Sequence, residues 1–198
     1  TKNIVGSFHQ PSLVYINVKC LNTLPKREYI AGLAEVVKHG IIYDADFFSY
    51  LEDNKEAVLN QDINVLKYLV GKNCAIKASV VQQDEKEQDL RAILNFGHTI
   101  GHAIERVQNY SGLSHGEAIS IGMVYITRLT ESMGLTERGE AEKIIEVLKK
   151  YRLPAKWQDL DVSAVIKAIS LDKKNRSGKI TIACIEKIGY GRLLEMDL

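Results

Sequence analysis

Three of the five histidines fall in one short stretch, Arg91-Ala-Ile-Leu-Asn95-Phe-Gly97-His98-Thr-Ile-Gly101-His102-Ala-Ile-Glu105, running on to Ser114-His115-Gly116-Glu117. His98 and His102 stand four residues apart, so on a helix both imidazoles project from one face. Two imidazoles on one face and a third in a nearby loop could hold a divalent metal ion. The same spacing also describes a plain polar helix face, and the pair alone does not choose between the two. Glu35 adds a carboxylate inside the apolar run Ala31-Gly-Leu-Ala-Glu-Val-Val37. Burying it ionised would cost several kcal/mol unless a cation or donors compensate. On the solvent side of an amphipathic helix, or paired with Lys38 three residues on, it would need no such explanation. With His98 and His115 it makes two imidazoles and a carboxylate with a position left open, the ligand set of hydrolytic or carbonyl-polarising zinc sites.

Cations stand close by in sequence. Lys77 interrupts the mostly apolar run Cys74-Ala-Ile-Lys-Ala-Ser-Val-Val81, and Arg91 and Asn95 are spaced one helical turn apart just before His98. Each could be an ordinary surface group. Gathered beside a metal, Lys38, Lys77 and Arg91 would suit an anionic, hydroxylated substrate, with cations on phosphate or carboxylate and the metal on hydroxyl oxygens.

The elements that must position these groups read as mainly helical. Pro25 suits a first helical turn, and Tyr29 to His39 follows with helical spacing, ending near Gly40. Phe47 to Leu51 gives a further amphipathic turn or two, and Asp62 caps a long helix from Ile63 to about Gln83. The acidic cluster Asp84–Asp89 reads as a solvated turn. One continuous helix is expected over Arg91–Val107, another over Gly116–Met133, a third over Glu137–Tyr151 capped by Thr136, and a short one over Val162–Leu171. Leu13–Val18 is β-branched and aromatic and reads as a short strand, which needs a sheet from elsewhere. Lys179–Ile185 and Arg192–Met196 form a small C-terminal β-hairpin. The fold class is thus mainly α, multi-helical, with a short N-terminal strand and a C-terminal hairpin.

Composition bounds the rest. A chain of 198 residues with 45% hydrophobic and 26% charged content is an ordinary globular chain, and its net charge of +1 gives no electrostatic reason for nucleic acid or an anionic membrane. No apolar run is long enough for a transmembrane helix. The scattered Cys20, Cys74 and Cys184 match neither a disulfide framework nor a CxxC metal site, so a reducing, cytoplasmic setting is expected. There is no GxGxxG after a strand and no strand–helix alternation, so no dinucleotide-binding fold is visible.

Taken in order, Lys2-Asn3-Ile-Val-Gly-Ser-Phe-His-Gln-Pro11, Leu24-Pro25-Lys-Arg-Glu28, Ala31-Gly-Leu-Ala-Glu-Val-Val-Lys38, Lys77-Ala-Ser-Val-Val81, Arg91–Glu105, His115-Gly-Glu-Ala118 and Leu171-Asp-Lys-Lys174 carry a resemblance. Over essentially its whole length the chain resembles the C-terminal domain of the 3-dehydroquinate synthase family, which has the dehydroquinate synthase-like fold. The resemblance implies conversion of 3-deoxy-D-arabino-heptulosonate 7-phosphate to 3-dehydroquinate and phosphate, the second step of the shikimate pathway, by a phosphate-eliminating lyase. It implies zinc, with cobalt as the other candidate ion, held by Glu35, His98 and His115. His102 then becomes a proton-transfer or substrate-contacting residue and not a ligand. Lys38, Lys77, Arg91, Asn95, Asn3 and a lysine of the pair Lys173 and Lys174 match substrate-binding positions, with Lys38 also counted among the catalytic groups. Glu87 falls where the family has a suggested proton acceptor. Lys2 and the segment Cys20, Leu21, Asn22 and Thr23 match places that touch the NAD cofactor.

By the same resemblance residues 1–24 are a junction and orphan strand belonging to an N-terminal NAD-binding domain, and residues 25–198 are the helical metal- and substrate-binding domain. The chain alone is then expected to have little turnover and weak NAD affinity, and the assembled enzyme to be a homodimer. The rivals are another sugar-phosphate cyclase of the 2-deoxy-scyllo-inosose or valiolone type, a metal-dependent polyol dehydrogenase of the glycerol type, and a helical interaction domain whose histidines are surface residues.

Overall fold

Helix-start chemistry sets the frame of the fold. In a computed structural model describing residues 5, 6, 9, 11–84, 90–158, 161–170 and 179–197, α1 (Lys26–Tyr43) begins directly after Pro25, and α2 (Ala45–Asp53) is capped by Asp44, whose carboxylate accepts from Phe47 N. A short α3 (Lys55–Leu59), not anticipated, leads to α4 (Ile63–Gln83). Asp62 caps α4 as expected, accepting from Asn64 N and Val65 N. Then come α5 (His98–Val107), α6 (His115–Ser132), α7 (Glu140–Lys150), α8 (Val162–Ser170) and the antiparallel pair β1 (Lys179–Lys187) and β2 (Tyr190–Asp197). Among the described residues no helix is long and apolar enough to cross a membrane.

Four expectations need correction. Leu13–Val18 forms no strand: residues 13–17 are irregular, and Val18 opens a 3-10 helix, Val18–Thr23. Leu13, Val14, Tyr15 and Ile16 are exposed, and the described hairpin strands pair with each other, leaving this segment without a sheet to join. The helix over Arg91–Val107 is two pieces, a 3-10 helix Leu90–Asn95 and then α5, separated at Gly97, whose φ of 76° is left-handed. Thr136 caps nothing, because its hydroxyl is taken by Thr130 Oγ1 and the Ile185 carbonyl, and α7 starts at Glu140. Finally, α1 runs past Gly40 to Tyr43, since that glycine is needed where Phe48 of α2 packs against it.

One core unites α1, α2, α4, α6, α7 and the inner face of β1. A second, smaller cluster of Ala103, Ile104, Ala118, Ile121, Val165 and Ala168 joins α5, α6 and α8. Helix α7 shows why such a segment folds: Ala141, Ile144, Ile145, Val147 and Leu148 are buried, with Glu140 and Glu142 at its positive end and Lys149 and Lys150 at its negative end. The hairpin turn docks on α1 through Gly189 N, which donates to the Ile41 carbonyl at 2.7 Å.

The close approach of α1, α5 and α6 depends on absent side chains. A Cβ at Gly122 would run into the Gly97 carbonyl, one at Gly116 into the Ala31 carbonyl, and one at Gly101 would sit 2.6 Å from Ile119 Cδ1. Backbone atoms cannot rotate away as a side-chain tip can, so Gly122→Ala must push α5 and α6 apart. We expect it to lower the unfolding free energy in urea by about 1–3 kcal/mol. Gly71 in α4 faces open space, and Gly71→Ala should raise stability by about 0.5–1 kcal/mol. Equal effects at the two sites would refute this packing.

Two buried phenols tie the core to backbone. Tyr29 Oη donates to the Val58 carbonyl and Tyr151 Oη to the Leu51 carbonyl, both at 2.6 Å. Burial pushes Tyr29 up to about 12 and Tyr151 further in the same direction. A folded-state pKa above the ordinary value means a contribution fully present below about pH 10 and lost as pH rises through the folded value. An alkaline titration of tyrosinate absorbance should therefore show most of the nine tyrosines ionising first. The last two should follow only with loss of helical circular dichroism. Uniform, reversible ionisation with the fold intact would contradict it.

Candidate metal and substrate site

His98 and His115 are each the first residue of a helix, α5 and α6 respectively. The left-handed turn at Gly97 ends the 3-10 helix and lets α5 start a new axis at His98. At the other start, Glu117 accepts from Ser114 N at 2.7 Å and is held by a bidentate pair with Arg27 of α1. That ion pair ties the α6 start to α1. The Arg27 guanidinium, helped by the Ser114 backbone N–H, outweighs burial, which acts upward, and holds the Glu117 carboxyl below its usual range.

The three imidazoles of His98, His102 and His115 form a nearly regular triangle, with ring centroids 5.3, 5.4 and 5.7 Å apart. One nitrogen from each lies within 4.8 Å of the others, and this is the metal-capable cluster among the described residues. Glu35 is not part of that triangle but reaches it through His98: its Oε1 lies 3.4 Å from His98 Nε2. Its other oxygen, Oε2, accepts from Lys38 Nζ at 2.7 Å.

Lone-pair accounting makes this contact informative. His98 Nδ1 faces the Phe96 carbonyl at 3.1 Å, and a carbonyl only accepts, so Nδ1 carries the hydrogen. Nε2 is then a lone pair unless the ring is cationic. Burial, followed by the charge of Lys38, pushes His98 down to about 4, so the ring is neutral near pH 7. Two acceptors, Nε2 and Glu35 Oε1, thus face each other with no proton between them. Oε1 is shielded from solvent and has no hydrogen-bond partner among the described residues, although the side chain as a whole is 38% exposed. A buried acceptor in that state is costly. Ligands on a tetrahedral ion at bond lengths of about 2.0–2.1 Å are themselves separated by about 3.3–3.4 Å, so the pair has the spacing a zinc-sized cation requires.

Lys38 is buried, 3% exposed, and besides Glu35 it donates to the Leu94 carbonyl at 2.7 Å. Burial lowers its pKa and the Glu35 carboxylate opposes that, while Lys77 of α4 adds a further lowering charge. For Glu35, burial acts upward, but Lys38 and then His98 outweigh it and hold the carboxyl below its ordinary value. The carboxylate stays ionised, ready for a cation. Arg91 and Asn95 are half-buried on the 3-10 helix that leads into His98, and Arg91 N donates to Asp84 Oδ2 at 2.9 Å.

Of the residues singled out from sequence, Glu35, Lys38, His98, His102 and His115 are gathered together, with Lys77 exposed beside Lys38. Cys20, Leu21, Asn22 and Thr23 lie in the 3-10 helix before α1, where Thr23 Oγ1 donates to the Cys20 carbonyl. Lys2, Asn3, Glu87, Lys173 and Lys174 lie outside the described residues. Two residues of the site were not anticipated. His39 is buried beside Lys38 and donates from Nδ1 to Asn73 Oδ1 at 2.6 Å. Glu105 bonds His115. Its spacing, three residues after His102 and seven after His98 on one helical face, was the signal available.

Comparison with known proteins follows the same lines. Residues 32–175 match the family model of the 3-dehydroquinate synthase C-terminal region, and residues 1–31 that of the 3-dehydroquinate synthase N-terminal region. The chain is 49% identical over 192 residues to 3-dehydroquinate synthase of Thermoanaerobacter sp. (strain X514), covering 97% of this chain and 53% of that one. It is 50% identical over 189 residues to the enzyme of the same name from Thermodesulfovibrio yellowstonii, covering 95% and 53%. It therefore spans about half the length of the curated relatives it matches. Among solved structures, 2-deoxy-scyllo-inosose synthase complexed with carbaglucose-6-phosphate, NAD+ and Co2+ superposes with a TM-score of 0.85 at 25% identity, covering 99% of this chain and 56% of that one. The 2-epi-5-epi-valiolone synthase ValA of Streptomyces hygroscopicus subsp. jinggangensis 5008, with NAD+ and Zn2+ bound, gives 0.83 at 25% identity, covering 100% and 54%. With its C-terminal family model matched over most of its length, the chain belongs to the 3-dehydroquinate synthase family.

Proposed function

We propose that this chain is the metal- and substrate-binding part of an enzyme that cyclises 3-deoxy-D-arabino-heptulosonate 7-phosphate to 3-dehydroquinate with loss of phosphate, a carbon–oxygen lyase. The observation that carries it is the facing pair of His98 Nε2 and Glu35 Oε1, two acceptors at ligand spacing beside a cluster of histidines and lysines. Glu35, His98 and His115 hold a divalent ion, zinc or cobalt, while NAD is bound mainly by an N-terminal domain reached through residues 1–24. When bound, the ion polarises the substrate's hydroxyls and NAD takes up and returns a hydride.

The chain's own groups do the rest. Lys38, Lys77, Arg91 and Asn95, with Asn3 and the Lys173–Lys174 pair, grip carboxylate, phosphate and hydroxyl oxygens and fix one conformer of a flexible sugar acid. Lys38 presents its ammonium from a buried position, so its reach is short and its direction set by Glu35 and the Leu94 carbonyl. His102, exposed at the rim of the triangle, carries protons between substrate and solvent. Glu87 is a second proton acceptor, and Lys2 and Cys20–Thr23 contact the nicotinamide cofactor. The working enzyme is a homodimer, and the scattered spacing of the chain's three cysteines suits a reducing, cytoplasmic setting.

A second ligand set has an observation in its favour, the mutual proximity of the three imidazoles. The two separate cleanly by metal analysis. Glu35→Gln and His98→Ala should weaken zinc binding by more than about a hundredfold, beyond what loss of an outer-shell partner costs. His102→Ala should keep its zinc and lose about 10²–10⁴ in turnover. Zinc lost from His102→Ala and kept by Glu35→Gln would replace Glu35 with His102 as a ligand.

Activity tests the reading as a whole. The chain joined to its NAD-binding domain should release phosphate and 3-dehydroquinate with no net rise in reduced-nicotinamide absorbance, because the hydride returns. The chain alone should turn over little. A cyclitol lacking a carboxylate, identified by mass spectrometry, would make it a different sugar-phosphate cyclase. Net accumulation of reduced cofactor would make it a dehydrogenase.

A further inference from the structure

Glu105 sits on α5 with its side chain only 12% exposed. Its carboxylate oxygens lie 3.2 and 3.3 Å from His115 Nδ1, and among the described residues that imidazole is its hydrogen-bonding and ion-pairing partner. No lysine or arginine of the described residues pairs with it. A carboxylate withdrawn from water needs a donor or a positive partner. Here the partner is a ring nitrogen, and a carboxylate accepts, so Nδ1 of His115 carries the hydrogen. The lone pair is thereby confined to Nε2. His98 shows the same device built from backbone, with the Phe96 carbonyl holding its Nδ1 hydrogen. The difference matters. A carbonyl orients a ring, whereas a carboxylate also raises the electron density of the nitrogen across it. The two supports differ in rigidity too. His98 is clamped by its own chain two residues away, and His115, at 45% exposure, has solvent on one side. Without Glu105 nothing in the described hydrogen-bond network would select its tautomer.

We propose that Glu105 is a positioning residue, one that locks His115 as the Nδ1–H tautomer and turns Nε2 into the stronger donor toward a divalent ion. The proposal rests on the reading of His115 as a metal ligand, and the experiment must separate failure of one from failure of the other. The whole protein is prepared metal-free as wild type, Glu105→Ala, Glu105→Gln and His115→Ala. Each is titrated with zinc against a chelator, and the imidazole nitrogens are followed by long-range nitrogen–proton NMR. In wild type, His115 should show the Nδ1–H pattern before any metal is added. Glu105→Ala should convert it to a tautomer mixture and weaken zinc binding by about 10–100-fold, with helical content unchanged. Glu105→Gln, which keeps an acceptor oxygen but no charge, should recover part of that loss. A loss of more than about a hundredfold in His115→Ala with zinc affinity unchanged in both Glu105 variants would overturn the positioning role and leave the ligand reading standing. Unchanged zinc affinity in His115→Ala would overturn the ligand reading, and the proposal with it.

Discussion

Backbone touching backbone is the constraint on which the rest of this structure depends. Where α5 meets α6, the Gly97 carbonyl occupies the space a side chain would take at Gly122, and where α6 meets α1, the Ala31 carbonyl does the same at Gly116. Helices normally keep 8–10 Å between axes because side chains stand between them. Removing those side chains brings the starts of α5 and α6 and the middle of α1 into one place. The polar groups have no other reason to meet, since Glu35, His98 and His115 are on separate segments. Apolar packing reinforces the arrangement, with Ile119 and Met123 of α6 lying over Gly97 and Gly101. The glycines permit it.

This bears on what was legible in the sequence and what was not. The amphipathic helices, the Asp62 cap and the terminal hairpin were readable, because each follows from local periodicity or a side chain bonding its own neighbours. The break at Gly97 was hidden. Arg91–Val107 keeps a helical rhythm of apolar residues throughout, and only the tertiary demand for a tight approach makes the glycine a left-handed turn in place of a helical residue. Leu13–Val18 failed for the converse reason: its residue types suit a strand, but a strand needs a partner, and the one β-pair among the described residues lies elsewhere. The histidines were legible by type, and their gathering was expected from residue chemistry and the family motifs but not from local periodicity. Periodicity on α5 argues for pairing His98 with His102, and nothing local says that His115 closes the triangle or that Glu35 approaches from α1.

Charge placement follows from the same convergence. Lys38 is almost wholly buried, and an ammonium in that position survives only because Glu35 and the Leu94 carbonyl both accept from it. The arrangement divides Glu35 between two tasks: one oxygen neutralises the lysine, and the other is kept from water with no donor among the described residues. Removing the lysine would free the carboxylate to turn away. Removing the carboxylate would strand the lysine. The pair is therefore coupled, and substitutions at either position should be read together.

His98 and His115 each opening a helix has an electrostatic consequence. The first turn of a helix carries roughly half a positive charge from its unpaired amide groups, and two such ends meet here beside the Lys38 ammonium. Their contribution to the field in this corner is positive. It acts in the same direction as the burial and the Lys38 charge that hold the His98 ring below its ordinary value, and it favours anionic groups over cations. It also opposes any incoming metal ion, whose charge must be offset locally. Glu35 and Glu105 are the carboxylates placed to do that. On the proposed reading, a cation is taken only at the point where those acids are set against that contribution.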